Sequence, residues 1–171
     1  LWKSNGTAAG TTLIKDIVSG TSSSNPSNFL AIGSTLYFTA ENEKRQTELW
    51  KSDGTSVGTV KITSGLFLES SGYDPFDNAQ GILYFLARDA DYNNGLYKSD
   101  GTHAGTSLVK NVENASYTFL YNVNGTLYFV GGSAGFGDEL WKSNGTAAGT
   151  VMVKDIYPGS NSSMSSSTNY T

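Results

Sequence analysis

At 171 residues, with 37% hydrophobic residues and a net charge of −4, the chain is long enough to bury a substantial core as one domain, and it lacks the clustered positive charge of a nucleic-acid footprint. It has no cysteine and a single histidine, His103, which removes disulfide staples, cysteine nucleophiles, the usual zinc sites and a Ser-His-Asp triad. No apolar run approaches the roughly 18 to 20 residues of a membrane-spanning helix.

Leu1-Trp-Lys-Ser alternates apolar and polar side chains as a half-buried strand does, and Asn5-Gly6 is a strong turn signal of the type I′ class. Leu13-Ile-Lys-Asp-Ile17 follows as the returning strand, and Gly10 between turn and strand points to a widened hairpin end. A Ser-, Gly- and Pro-bearing connector covers 18–28. Phe29 to Ile32 and Leu36-Tyr-Phe-Thr39 then make a hairpin around Gly33-Ser34, and the polar loop 41–47 leads to Leu49-Trp50. Asp53-Gly54 repeats the first turn, and Val60-Lys-Ile62 is a shortened return. The order recurs with Phe76 to Ala79, a turn near Gly81, Leu83-Tyr-Phe-Leu86, a polar loop over 88–94, Leu96-Tyr97, Asp100-Gly101 and Leu108 to Val112. A further round runs through 117–123, Asn124-Gly125, Leu127-Tyr-Phe-Val130, the loop 131–138, Leu140-Trp141, Asn144-Gly145 and Met152 to Ile156.

One stretch, Glu139-Leu-Trp-Lys-Ser-Asn-Gly-Thr-Ala-Ala-Gly-Thr150, therefore occurs four times, its leucine falling at Leu1, Leu49, Leu96 and Leu140. A period in the mid-forties is the size of one four-stranded unit. The Leu of Leu-Tyr-Phe precedes the Leu of Leu-Trp (Leu-Tyr in the second round) by a constant interval, Leu36 to Leu49, Leu83 to Leu96 and Leu127 to Leu140, while the connectors vary. The expectation is an all-β fold, a β-propeller of four-stranded antiparallel blades, with about three and a half blades here as part of a larger ring. Its repeats cover 1–156, as a partial blade over 1–17 and blades over about 18–62, 63–112 and 113–156. Residues 157–171 form a Ser/Asn/Thr-rich tail or the start of the next connector. The first residue lies inside a motif, so the simplest expectation is a processed or partial chain of a longer array, its open ends covered by further blades or by other copies of itself. Variable connectors and the loops before Leu-Trp should gather on one face, and the Asn-Gly and Asp-Gly turns on the other.

The motif Glu-Leu-Trp-Lys-Ser-Asp/Asn-Gly-Thr, followed by Ala-Gly-Thr and Val-Lys-Asp-Ile, resembles the ELWxxDGT repeat family of large secreted or surface bacterial proteins. The resemblance covers nearly the whole chain except the tail. The third copy departs from it at Gly95-Leu-Tyr97, and the second in its shortened strand. The resemblance implies propeller repeats and no shared reaction. The Ser-Asp-Gly-Thr turn also looks distantly like the Asp-box of sialidase propellers, where it is a structural hairpin.

Loops on a rigid scaffold are where binding concentrates. Candidate ligand-binding residues are therefore Glu41, Glu43, Arg45, Tyr73, Asp74, Arg88, Tyr92, Phe136 and Asp138, set against their being ordinary solvated loop residues. Asp89, Asp91 and Asn93 alternate oxygen-bearing side chains ahead of Gly95, which suits calcium. The glycine is one place too late for an EF-type loop and the equivalent loops do not repeat the pattern, so a metal-free polar turn is the simpler alternative and no cofactor is required. Trp2, Trp50, Trp141 and Tyr97 fit core packing better than sugar stacking. Sequons stand at Asn5, Asn114, Asn124, Asn144, Asn161 and Asn169, three of them repeat or turn Asn-Gly-Thr elements. Asp74 with Asp77, or Glu41 with Glu43, are the carboxylate pairs a glycoside hydrolase would need.

Without recurring acid, base or nucleophile, the expectation is a non-catalytic secreted or cell-surface module for adhesion or structural scaffolding, not an enzyme. A carbohydrate-binding, lectin-like propeller and a part of a propeller glycoside hydrolase are the alternatives. Partners would be a surface glycan or protein, or further blades or copies of itself, with no nucleic acid and no membrane span. Abundant Ser, Thr, Asn and Gly lean toward an extracellular or cell-surface place.

Overall fold

The computed structural model describes residues 1–68, 75–115 and 119–164. Among these residues fifteen strands run in chain order: β1 (Trp2–Lys3), β2 (Thr12–Leu13), β3 (Ser27–Ile32), β4 (Thr35–Glu41), β5 (Thr47–Ser52), β6 (Val60–Lys61), β7 (Leu66–Phe67), β8 (Phe76–Ala79), β9 (Ile82–Asp89), β10 (Asn94–Ser99), β11 (Ser107–Asn111), β12 (Leu120–Val123), β13 (Thr126–Ser133), β14 (Phe136–Ser143) and β15 (Val151–Met152). They form four antiparallel sheets: the pair β1-β2, the meander β3-β4-β5-β6, a five-stranded sheet in which β9 joins β10-β11 to both β8 and β7, and the meander β12-β13-β14-β15. Among the described residues there is no α-helix.

Alternation along the Leu-Tyr-Phe strands decides what each sheet face buries. In β9, Leu83, Phe85 and Ala87 pack with Tyr37, Leu49 and Ile62 of the preceding unit. Tyr84 and Leu86, between them, pack with Leu120, Leu127, Phe129 and Trp141 of the following one. The central sheet is thus covered on both faces, which is why β9 reads as a continuous apolar run. Phe85 sits opposite Tyr97 in the register and stacks on it at 5.6 Å, as Phe38 does on Trp50 at 6.5 Å and Phe129 on Trp141 at 6.4 Å. The aromatic of the Leu-Trp or Leu-Tyr motif is therefore a packing residue in the three full units. Trp2, 64% exposed, is the exception.

The sheets do not stand at even spacing. The first strands approach one another, β8 touching β3 on one side and β12 and β13 on the other, and no comparable contact joins the outer strands β6, β11 and β15. At the inner approach Asp77 Oδ2 accepts the Asn122 amide and the Asn78 carbonyl accepts the Asn122 side chain. At the outer edge long side chains bridge instead, with Lys15 Nζ donating to the Thr59 carbonyl and Lys110 Nζ to the Thr150 carbonyl, both at 2.8 Å.

The Asn-Gly and Asp-Gly turns of the motif are not the two-residue type I′ turns expected. Left-handed φ is taken there by the glycines alone, Gly6, Gly54, Gly101 and Gly145, and not by the preceding Asn or Asp. The true type I′ pairs are Gln80-Gly81 and Asn124-Gly125, where both residues have positive φ. In the motif, side chains build a wider loop. Oδ1 of Asn5, Asp53, Asp100 or Asn144 accepts both the amide and the hydroxyl of the Thr two places on. The preceding Ser accepts the Gly amide and pairs at 2.7 Å with the Thr that closes the loop. The second glycine is needed because the Asn or Asp side chain lies against it: a Cβ at Gly58 would stand 2.1 Å from Asp53.

This cage makes a pH-dependent contribution in the two Asp copies only. The Thr55 hydroxyl and amide hold the Asp53 carboxyl below its ordinary range, and Thr102 does the same for Asp100. A folded pKa below the unfolded value of about 3.9 stabilises above that value and is lost as pH falls through the folded one. Acid unfolding of the Asp53→Asn/Asp100→Asn double variant, which copies the natural Asn5 and Asn144 loops, is expected to lose less stability below about pH 4 than the parent. Superimposable acid profiles would contradict the assignment.

One further expectation is corrected. The fourth strand is shorter than read in three units, covering Thr12–Leu13, Val60–Lys61 and Val151–Met152, with one further bond from the Ile14, Ile62 or Val153 amide to the motif leucine carbonyl; only β11 is long, through a bulge between Leu96 and Tyr97. The connectors do more than join units: they lay an extra pairing on the first-strand side of the three larger sheets, at Ser24 to Glu41, Phe67 to Arg88 and Glu113 to Gly132. The shortened second copy also becomes clear. Lys61 faces Trp50 where Leu13 faces Trp2, so Thr63 occupies the lysine position.

Candidate functional site

In an antiparallel meander the ends alternate, so the loops 42–46, 90–93 and 134–135 share one end with the connectors, and the motif loops and tight hairpins share the other. Variable residues collect at the first end, in the grooves between neighbouring sheets. The groove between the second and third units has a volume of about 410 Å³ and is lined by Arg45, Gln46, Thr47, Phe67, Arg88 and Tyr92 among others. Its floor is an aromatic-cation stack, with the Arg88 guanidinium 4.8 Å from the Tyr92 ring centre and 5.8 Å from that of Phe67. Tyr92 is held there by a positive φ and leaves 73% of its surface to solvent. A second groove of about 460 Å³, between the third and fourth units, is lined by Tyr92, Asn94, Glu113, Asn114 and Ser133.

The structure brings Arg45, Arg88 and Tyr92 together in the first groove and places Asp138 by itself near the second. Glu41 belongs to the scaffold: Arg45 lies 2.9 Å away and Asn25 donates to it, and these two bonds, Arg45's first, hold its carboxyl below the usual range. Glu43 is exposed. Asp138 accepts the Asn114 amide at 2.8 Å, and Phe136 is exposed at the start of β14. Tyr73 and Asp74 lie outside the described residues, as does Asn169.

Asp89 caps its own loop. Oδ1 accepts the Asp91 and Asn93 amides, the Asn93 side chain reaches both oxygens, and these bonds, Asn93's first, hold the carboxyl low. Asn42 does the same in the preceding unit, accepting the Lys44 and Gln46 amides, so hydrogen bonding alone accounts for the turn. No group of three or more His, Cys, Asp or Glu converges among the described residues. Of the carboxylate pairs, Asp77 is engaged by Asn78 and Asn122 between the inner strands. Asn5, Asn114, Asn124, Asn144 and Asn161 are exposed, but the Oδ1 atoms of Asn5 and Asn144 are the centres of their loops.

No family model matches the chain, and no curated protein matches it. Two solved chains do. One is an alpha-L-arabinofuranosidase from Clostridium thermocellum ATCC 27405, 16% identical over 85% of this chain, with a TM-score of 0.34. The present chain spans 58% of that structure, and a likeness of this size bears on no activity. Among the described residues no helix is long and apolar enough to cross a membrane.

Sequence reasoning passed over Phe67, whose only signal is the apolar Leu66-Phe-Leu68 inside a polar connector. It also passed over the motif glutamates as anchors. Glu48 is paired with Lys61 at 3.1 Å. Glu139 is fully buried, and although desolvation pushes its pKa up, the bonds from Ser163, Ile156 and Tyr157 outweigh this and hold it low.

Proposed function

We propose that the chain is a non-catalytic scaffold of the propeller kind, of the ELWxxDGT repeat family, displayed outside the cell or on its surface, whose work is adhesion or structural support. The observation that carries this is how the polar residues are used. The recurring Ser, Asp/Asn and Thr are spent on the same internal hydrogen bonds in all four copies, and the residues that differ between copies lie at one end. The approach of first strands with separated outer strands supports wedge-shaped units about a common axis.

A carbohydrate as the ligand is favoured by one feature, the exposed Tyr92 ring beside a polar groove. Retention of the purified chain on immobilised polysaccharides and a glycan array tests it. Tyr92→Ala is expected to lower retention about two- to tenfold, since a stacked aromatic contributes about 0.5 to 1.5 kcal/mol, with thermal unfolding unchanged. Unaltered retention in the variant, or turnover of any polysaccharide by the parent, would overturn this assignment.

A further inference from the structure

The loops that lead into the third strands each contain a left-handed residue: Arg45 with a φ of 61°, Tyr92 with 66° and, in the shorter loop of the fourth unit, Gly135 with 85°. Glycine adopts this conformation freely, whereas a large side chain there is strained. At Tyr92 the loop holds the strain, the Tyr92 amide donating to the Asp89 carbonyl at 3.1 Å and the Asn93 amide to Asp89 Oδ1 at 2.9 Å. The result is an aromatic ring fixed on a rigid turn with most of its surface in solvent. Such a ring has little freedom left to lose when a ligand stacks on it.

Tyr92 borders both grooves. From the first, the Arg88 guanidinium lies over the ring, 4.8 Å from its centre, and covers one face. Arg88 is not among the residues lining the second groove, so the ring surface turned that way is the one open to a stacking partner. There the lining is rich in neutral amides, from Asn93, Asn94, Asn111 and Asn114. Asn93 and Asn114 commit their Nδ2 groups to Asp89 and Asp138, at 3.0 and 2.8 Å, which leaves their Oδ1 atoms as acceptors. Asn111 is exposed and offers donors and an acceptor together. Among the described residues lining this groove there is no Lys or Arg, and the one charged side chain is the exposed Glu113. Mixed donors and acceptors beside an aromatic face match the hydroxyls and the apolar face of a sugar ring, while a carboxylate with no cation beside it repels an anionic one.

We propose that the second groove is the chief sugar subsite of the chain and takes a neutral glycan, one sugar ring stacking on Tyr92 while its hydroxyls bond to Asn111 and the neighbouring amides. The groove, at about 460 Å³, has the size of a ligand cleft, about 300 to 1,000 Å³. The first groove, with Arg45 and Arg88 in its lining, is then a flank of the site and not its centre. This assignment rests on the carbohydrate reading above and adds to it the groove and the charge class of the glycan.

Affinity electrophoresis of the purified chain tests it, in gels carrying neutral polysaccharides (xylan, mannan, β-glucan, galactan and arabinan) and in gels carrying anionic ones (polygalacturonate and chondroitin sulfate). Two variants at exposed positions, Asn111→Ala and Glu113→Lys, are compared with the parent and with Tyr92→Ala, their folding checked by circular dichroism. Retardation by at least one neutral polysaccharide is expected, weakened about two- to tenfold by Asn111→Ala through the loss of one hydrogen-bonding side chain, and not strengthened by Glu113→Lys. Retardation by the anionic gels alone, strengthened by Glu113→Lys, would overturn the neutral class. Binding that Tyr92→Ala weakens and Asn111→Ala leaves unchanged would move the sugar to the first groove and overturn this assignment while the carbohydrate reading stood. A parent retarded by no gel would overturn both.

Discussion

Gly101→Ala is expected to lower the stability of the chain by about 2 to 5 kcal/mol, the sum of a non-glycine residue at left-handed φ and an overlap with a packed side chain. Both penalties can be seen at Gly101, with a φ of 87° and the Tyr37 hydroxyl 2.5 Å from the new methyl. Gly54 separates them. Its φ is 86° and nothing lies within 4 Å, so Gly54→Ala should carry the backbone strain alone, about 1 to 3 kcal/mol. Tyr37→Phe removes the overlapping oxygen and leaves the ring carbon 3.4 Å away, an ordinary contact, so adding it to Gly101→Ala should recover the difference. Denaturant unfolding of the parent, Gly101→Ala, Tyr37→Phe and the double variant closes the double-mutant cycle. No coupling between positions 37 and 101 would mean that the tyrosine does not seat beneath the turn.

Phe85→Ala is the second large loss, about 3 to 5 kcal/mol. Phe85 is fully buried in the sheet covered on both faces, stacked on Tyr97 at 5.6 Å and edge-on to Phe76 at 6.5 Å. Against the 5 to 15 kcal/mol of a typical domain, about that much removes a large share of the total stability. Tyr121→Ala, at a ring 60% exposed, should change stability by less than about 0.5 kcal/mol. Thermal unfolding of the pair decides it: similar losses would mean that the central sheet is not the core.

The strand order was legible because periodicity of two and a fixed spacing report directly on which side chains share a face. Leu36, Leu83 and Leu127 all fall in the second strand of a unit, and Leu49, Leu96 and Leu140 in the third. The turn at Asp53-Gly54 was misread for a physical reason. The dipeptide fits a type I′ turn locally, and only the hydrogen bonds of Ser52, Thr55 and Thr59 show that the loop is wider. The candidate site was legible by loop but not by partner. Arg88 and Tyr92 are near neighbours in sequence, whereas Phe67 comes from a connector whose pairing with β9 is a tertiary fact. Asp89 looked like a cation ligand because alternating oxygens serve an Asx turn and a metal loop alike, and spacing does not distinguish the two.

The central claim is that the sheets meet at their first strands and open outward. Because the chain has no cysteine, spin labels attach at introduced ones alone, and electron double resonance on two label pairs tests the claim directly: Ala31 with Val123 on the first strands β3 and β12, and Val60 with Val151 on the outer strands β6 and β15. Both pairs span from the second unit to the fourth. The account predicts a clearly shorter distance for the inner pair than for the outer; equal distances, as in sheets stacked along a line, would contradict it.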